Sequence, residues 1–224
     1  MERIAHRGAN REFPENSLPA FRRAFERGAD AIELDVHTTR DGVVVVHHDP
    51  TLRPAPRRSK RAIAEMTWDE LRRIELSPGI GVPSLADVLA VTPPDKTVYV
   101  EIKGERIETA VINVIRDGTV HCAVHSFDHQ AIARCREIAP DLPRGILFDK
   151  ASTDAMIHAL EAFAPRDLWP RWNLVDPQLV ARAHDAGARV IAWTVSSVST
   201  AKALMEMGID GLCTDDVRVL DGLG

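Results

Sequence analysis

Residues 31–49 read Ala-Ile-Glu-Leu-Asp-Val-His-Thr-Thr-Arg-Asp-Gly-Val-Val-Val-Val-His-His-Asp. Ala31–Val36 is an apolar run with the composition of a strand. Within it Glu33 and Asp35 stand two positions apart, so both carboxylates leave the same face. Asp41-Gly42 is a tight-turn pair, and Val43–Val46 is a return strand that delivers His47 and His48. A two-residue turn makes antiparallel neighbours, whereas parallel neighbours need a crossover of a dozen or more residues. Val43–Val46 is therefore an excursion from Ala31–Val36 and not the next parallel strand. That reading sets the strand count, and the count decides the fold.

Outward from this hairpin the chain alternates short β-rich runs with helical stretches. Strands are expected at Arg3–Ala5, Thr97–Ile102, Val120–His125, Gly145–Phe148, around Trp172–Leu174, at Arg189–Thr194 and at Ile209–Cys213. Helical spacing covers Leu18–Arg27, Ile107–Arg116, Asp128–Ile138, Asp154–Phe163, Pro177–Ala186 and Val198–Met207. Thr67 and Glu70 form a capping box for a helix from Trp68 to about Ile74, and Ser84 with Asp87 opens a short helix through Ala90. Leaving out the hairpin arm gives eight candidate parallel strands. This predicts an eight-stranded (β/α)8 TIM barrel, with a β-hairpin excursion and a short insertion at about residues 50–83 after strand 2. A doubly wound open sheet shares the alternation, but no glycine-rich nucleotide fingerprint follows the first strand and no phosphate-loop lysine motif occurs. The expectation is one barrel domain over residues 1–224, since no linker divides the chain.

The formal net charge is -5, from 33 acidic and 28 basic residues, which does not favour nucleic acid as a partner. One basic run, Arg53 to Arg61, holds five cationic groups. It reads as a solvated loop, because it lacks interleaved aromatics and is followed by Glu65, Asp69 and Glu70. Cys122, Cys135 and Cys213 fit neither a zinc site nor a disulfide framework, so a reducing, cytoplasmic setting is expected. Charged residues interrupt the N-terminus, arguing against a signal peptide, and no apolar window is long enough to span a membrane. Nothing in the sequence sets the oligomeric state.

In a barrel, reactive groups belong at the carboxyl ends of strands. His6 and Arg7 sit at the first such end, Glu33 and Asp35 on the second strand, Glu101 and Lys103 around the third, and His125 at the fourth. Trp193 and Thr194 end the seventh, and Asp215 and Asp216 follow the eighth. Three carboxylates suit magnesium or calcium; the alternative is that one points outward or pairs with a base. His6 and His48 are candidates for general base and acid near neutrality. Arg7 and Lys103 either grip phosphate oxygens or serve as ordinary ion-pair partners.

The motifs, taken in order, resemble the glycerophosphodiester phosphodiesterase family. They are His6-Arg7-Gly8, Pro14-Glu15-Asn16-Ser17, Gly28-Ala29-Asp30, Ile32-Glu33-Leu34-Asp35-Val36, Asp41-Gly42 and His48-Asp49. Glu101-Ile102-Lys103, Ser126-Phe127-Asp128, Trp193-Thr194-Val195, Gly208-Ile209-Asp210-Gly211 and Thr214-Asp215 continue the series. The resemblance implies a barrel that hydrolyses glycerophosphodiesters to glycerol-3-phosphate and an alcohol. It implies catalytic histidines at His6 and His48, metal carboxylates at Glu33, Asp35 and Glu101, and one divalent cation, Mg2+ or Ca2+. Phosphate contacts fall on Arg7 and Lys103. Asn16 would order the site, and Trp193 would form an apolar wall or pack the barrel. The chain departs from the family pattern at Leu52-Arg53-Pro54, at Ser196 and at Asp216. Rival readings are a lysophospholipase D-like or phosphoinositide phosphodiesterase on the same fold, a non-catalytic anion-binding protein, and a nucleic-acid phosphodiesterase using Arg53–Arg61 as a clamp. Two proton-transfer groups argue against the binding protein.

Overall fold

A computed structural model of the chain describes residues 1–52 and 59–223. Eight strands pair in parallel around a closed circuit: β1 (Glu2–His6), β2 (Ala31–Thr38), β3 (Thr97–Ile102), β4 (His121–Ser126), β5 (Arg144–Phe148), β6 (Asp167–Pro170), β7 (Arg189–Ala192) and β8 (Gly211–Thr214). β1 pairs with both β8 and β2, which closes the barrel. Because β1 ends at His6, the far end of β2 has a vacant edge. The return arm Val44–Val46 fills it antiparallel, with Val36 opposite Val46. The excursion read from Asp41-Gly42 is therefore present.

Alternation along the strands builds two apolar layers. Ile4, Ala31, Tyr99, Ala123, Leu147, Trp169, Ile191 and Cys213 form one cluster inside the barrel. Their neighbours of opposite parity, such as Ala5, Ile32, Leu34, Val100 and Val124, join the larger cluster beneath the helices. The helix starts are capped as their sequences dictate: Ser17, Thr67, Ser84, Asp128, Ser152, Asp176 and Ser197 each accept a backbone N–H. Thr67 and Ser84 do so within full capping boxes. The helix opened by Thr67 is shorter than expected and ends at Leu71.

The sixth strand is a correction. It was expected around Trp172–Leu174, yet those residues form a 3-10 turn and the strand is Asp167–Pro170. Asp and Pro are poor strand formers, which hid the run. Tertiary contacts override that preference. Asp167 is fully buried but is paired with Arg166 at 2.5 Å and lies 3.6 Å from Arg189. Burial pushes its carboxyl up, and the two guanidiniums hold it down part of the way. Glu2, which accepts from Tyr99 Oη at 2.7 Å and from Arg189, completes a polar seal at this amino-terminal end.

The insertion contains two short hairpins, Thr51–Leu52 with Arg61–Ala62 and Glu75–Ser77 with Ile80–Gly81. Its own apolar cluster gathers Leu52, Ile63, Met66, Leu71, Ile74 and Val82 against Val45. The Asp41 carboxylate accepts the backbone N–H of Trp68 at 2.9 Å, tying the insertion to the hairpin turn. Most of the basic run, Arg53 to Arg58, lies outside the described residues. At its end, Lys60 stands 4.0 Å from Asp49 and Arg61 3.3 Å from Glu70. All three cysteines are free and buried. Among the described residues no helix is long and apolar enough to cross a membrane.

One glycine links the core to the barrel mouth. A Cβ on Gly145 would lie 2.8 Å from the Trp169 ring and 3.2 Å from His125 Cβ. The missing side chain lets Trp169 stand edge-on to His125, with centroids 4.4 Å apart. Gly145→Ala is therefore expected to destabilise the fold by about 1–3 kcal/mol, read as a lower urea midpoint with an unchanged slope. An unaltered midpoint would show that the contact is not tight.

Candidate active site

β1 stops at His6 because the next residues leave extended conformation. Arg7 has φ 56° and Gly8 φ 80°, so the chain turns sharply. A side chain at Gly8 would collide with the Ala20 backbone, 2.7 Å away, so only glycine fits this turn. The turn directs Arg7 back across the mouth, where its Nε lies 3.0 Å from Asp35 and its Nη1 3.1 Å from Glu15. Asn16, also left-handed at φ 58°, is fully buried and donates to Asp35 Oδ2 at 2.9 Å.

Parity puts Glu33, Asp35, Glu101 and His125 on the inner face of neighbouring strands. In register, Glu101 lies beside Asp35 on one side and His125 on the other. Glu33 Oε1 stands 3.5 Å from His125 Nε2, and its Oε2 accepts the Arg7 backbone N–H at 3.2 Å. Lys103 Nζ lies 3.2 Å from Glu101 and 3.6 Å from Asp35. Burial pushes the Glu101 carboxyl up to about 7, aided by the charges of Asp35 and Glu33. Burial also opposes the charge on Asp35, but Arg7 and Lys103 outweigh it and hold that carboxyl below its ordinary value.

Glu33, Glu101 and His125 each offer a ligand atom, and these atoms all lie within 4.8 Å of one another. Both ring nitrogens of His125 are buried without a hydrogen-bond partner, as is Asp35 Oδ1. Unpartnered polar atoms at such depth are costly. Two carboxylates converging with an imidazole form a donor set that suits a divalent cation. The residues present therefore fit a metal. The expected ligand set was Glu33, Asp35 and Glu101. Glu33 and Glu101 of that set converge with His125, and Asp35 stands beside them, engaged by Arg7, Lys103 and Asn16. Its Oδ1 remains free of hydrogen bonds on the Lys103 side.

His6 lies on the β8 side of this cluster. Its Nε2 is 3.8 Å from Glu33, and its Nδ1 is 2.5 Å from Asp215. Burial opposes a charge on His6, but Glu33 and Asp215 outweigh it and raise its pKa. His48 stands at the end of the return arm, 36% exposed, with Nδ1 2.9 Å from Asp49. The ladder with β2 ends where His47 N–H donates to the Asp35 carbonyl. Beyond it the buried His37 holds the chain, donating from Nε2 to the His48 carbonyl at 3.1 Å. His47 is turned aside onto the Asp49 carbonyl.

A cavity of about 220 Å³ opens at this end of the barrel. His6, Arg7, Glu33, His48, Glu101, Lys103 and His125 line its polar side, and Phe127, Leu147, Trp169 and Trp193 its apolar side. Trp193 donates from its indole nitrogen to the Trp169 carbonyl at 2.9 Å and meets Phe127 edge-on at 5.5 Å. Asp35 and Asn16 lie beneath, fully buried. In the sequence His125 and Asp215 stand out as residues at strand ends, Asp215 also within the Thr214-Asp215 motif, with no role attached to either. Asn10 and His37 do not stand out there. Position at a strand end was the available signal for the first two; nothing local marks the others.

The model of the Glycerophosphoryl diester phosphodiesterase family matches residues 6–219. The glycerophosphodiester phosphodiesterase of Caldanaerobacter subterraneus subsp. tengcongensis is 31% identical over 98% of this chain and 96% of its own length. The crystal structure of a Thermotoga maritima glycerophosphodiester phosphodiesterase is 26% identical, with a TM-score of 0.85 over 99% of this chain and 97% of that one. An Oleispira antarctica phosphodiesterase, solved with the product sn-glycerol-3-phosphate, shares the fold at a TM-score of 0.91 and 23% identity, over 100% of this chain and 96% of that one.

Cation binding is expected to be competitive with protonation of Glu101. Its carboxyl is largely neutral below about pH 7, so affinity for Mg2+ should rise as pH increases through that value, with proton release on binding. Calorimetry in buffers of different ionisation enthalpy reads both effects. Glu33→Gln and Glu101→Gln should each weaken binding by about tenfold or more; unchanged affinity in both variants would remove the proposed ion from this cluster.

Proposed function

Because this chain belongs to the glycerophosphoryl diester phosphodiesterase family, we propose that it hydrolyses glycerophosphodiesters to glycerol-3-phosphate and an alcohol. The observation that carries this reading is the shared cavity: His6 and His48 line it together with Arg7, Lys103 and the Glu33–Glu101–His125 cluster. Two proton-transfer groups, two cations and a cation-binding cluster around one space are what cleavage of an anionic diester requires.

Charge balance supports the same conclusion. Three carboxylates, Glu33, Asp35 and Glu101, when ionised face two side-chain cations, Arg7 and Lys103. One negative charge is left over, which disfavours a phosphodiester anion. A divalent cation reverses that sign. Glu33, Glu101 and His125, with Asp35 beside them, would hold Mg2+ or Ca2+, which when bound supplies electrophilic stabilisation of phosphoryl charge.

The side chains divide the remaining work. Arg7 and Lys103 neutralise charge on the phosphoryl oxygens as it redistributes. His6 accepts the proton of the attacking hydroxyl at Nε2, and the nearby carboxylates of Glu33 and Asp215 stabilise the imidazolium that results. His48 protonates the departing alcohol oxygen. Asn16 holds Asp35, and through it the Arg7 guanidinium, in place. The attacking hydroxyl is the substrate's own glycerol 2-hydroxyl, favoured by proximity, or water; a transient cyclic phosphate in 31P NMR distinguishes them.

A second reading is favoured by Phe127, Leu147, Trp169 and Trp193, which give the cavity an apolar side. They would accept an apolar substituent, as in a lysophospholipase D-like reaction. The test is one panel: water-soluble glycerophosphodiesters, lysophospholipids, phosphoinositides and an oligonucleotide, each with Mg2+, Ca2+ or chelator. Turnover of the soluble diesters that chelator abolishes is expected. Absence of turnover across the diesters would overturn the proposal, and preference for lysophospholipids would establish the second reading. The His6→Gln, His48→Gln double variant should lose turnover while keeping its cation affinity. Metal-dependent turnover by that variant would remove both histidines from the chemistry.

A further inference from the structure

Asp215 is the first residue after β8, and its side chain turns into the barrel mouth. Its Oδ1 receives two bonds, from His6 Nδ1 at 2.5 Å and from Asn10 Nδ2 at 2.9 Å. The same Asn10 amide nitrogen also donates to the His6 backbone carbonyl at 2.9 Å. Asn10 thus clamps both ends of the His6–Asp215 contact. The neighbouring Asp216 takes no part, since Arg218 holds it at 2.6 and 2.8 Å.

We propose that Asp215, clamped by Asn10, is a positioning residue that fixes the tautomer of His6, placing the proton on Nδ1 and leaving Nε2 bare toward the cavity. The proposal rests on the reading of His6 as a proton acceptor and adds the residues that make it one. A neutral imidazole can carry its proton on either nitrogen, and only the bare nitrogen accepts a proton. Asp215 stays ionised: partial burial pushes its carboxyl up, but the His6 bond and charge and the Asn10 bond bring it down to about 2. An ionised carboxylate has no proton to give, so Nδ1 must be the donor. Nε2 then lies on the Glu33 side, 3.8 Å from Oε2.

The shared oxygen makes the test discriminating. In Asp215→Asn the side-chain oxygen can occupy the same place, because Asn10 donates there. The amide nitrogen takes the other position. The tautomer should therefore survive in Asp215→Asn and be lost in Asp215→Ala. The first readout is 15N chemical shift of the His6 ring, assigned by comparison with His6→Gln. At a pH high enough for the imidazole to be neutral, wild type and Asp215→Asn should show a protonated Nδ1 and a bare Nε2, whereas Asp215→Ala should show the two forms mixing. The second readout is turnover of a soluble glycerophosphodiester. Asp215→Ala should lower kcat by about 10- to 100-fold, a part of what a general base contributes, with KM within about twofold. Asp215→Asn should retain several times more activity than Asp215→Ala. Wild-type ring shifts in Asp215→Ala would overturn the proposal, and so would an Asp215→Asn enzyme as impaired as Asp215→Ala. The ring shifts do not depend on turnover, so an inactive wild-type protein would defeat the assigned activity and leave the tautomer claim separately testable.

Discussion

Everything at the carboxyl end of this barrel answers to one electrostatic constraint. Glu33, Asp35 and Glu101 are all buried within a single closed ring of strands. Carboxylates taken out of water at such spacing repel strongly unless cations or protons compensate them. The chain supplies Arg7 and Lys103, yet burial, with the charges of Asp35 and Glu33 added, still raises the Glu101 carboxyl to about 7. The unpartnered nitrogens of His125 lie at the same spot. Such a cluster, with unpartnered donor atoms converging in it, fits a divalent cation.

The two ends of the barrel treat buried charge differently. At the amino end, Glu2, Tyr99, Arg166, Asp167 and Arg189 bond to one another and close the interior. At the carboxyl end, the groups are held from behind and left open in front. Asn16 secures Asp35, Asn10 and Asp215 secure His6, and His37 secures the backbone of His48. Supported groups lining one cavity are the arrangement that preorganised chemistry needs. Between the two ends lies the apolar layer around Trp169, which lowers the local dielectric and so strengthens every charge interaction above it.

Where the sequence reading and the fold part company, long-range contacts are responsible. Asp167–Pro170 did not look like a strand, because the ion pairs that make its buried aspartate tolerable come from Arg166 and from Arg189 on the adjoining strand. Asp35 looked equivalent to Glu33, having the same parity on the same strand. Its neighbours differ, however: Arg7 and Asn16 reach it from the loop after β1. His125 carried no ligand-like spacing in the sequence, yet register sets it directly beside Glu101.

The amino-acid sequence alone determined the barrel, through the count of alternating runs and the Asp41-Gly42 turn that removes one strand from it. It also determined which residue types gather at the reactive edge, because a period of two assigns every strand residue to one face. Those are local properties, written within a few positions of each residue. Only the tertiary structure decided that His125 joins the two glutamates, that Asp215 and Asn10 stand behind His6, and that His37 reaches the carbonyl of His48. Each of the first two unites residues from different strands or loops around the ring, and the third crosses from a strand to its return arm. Strand register and side-chain direction, which no local pattern encodes, bring those partners within bonding distance.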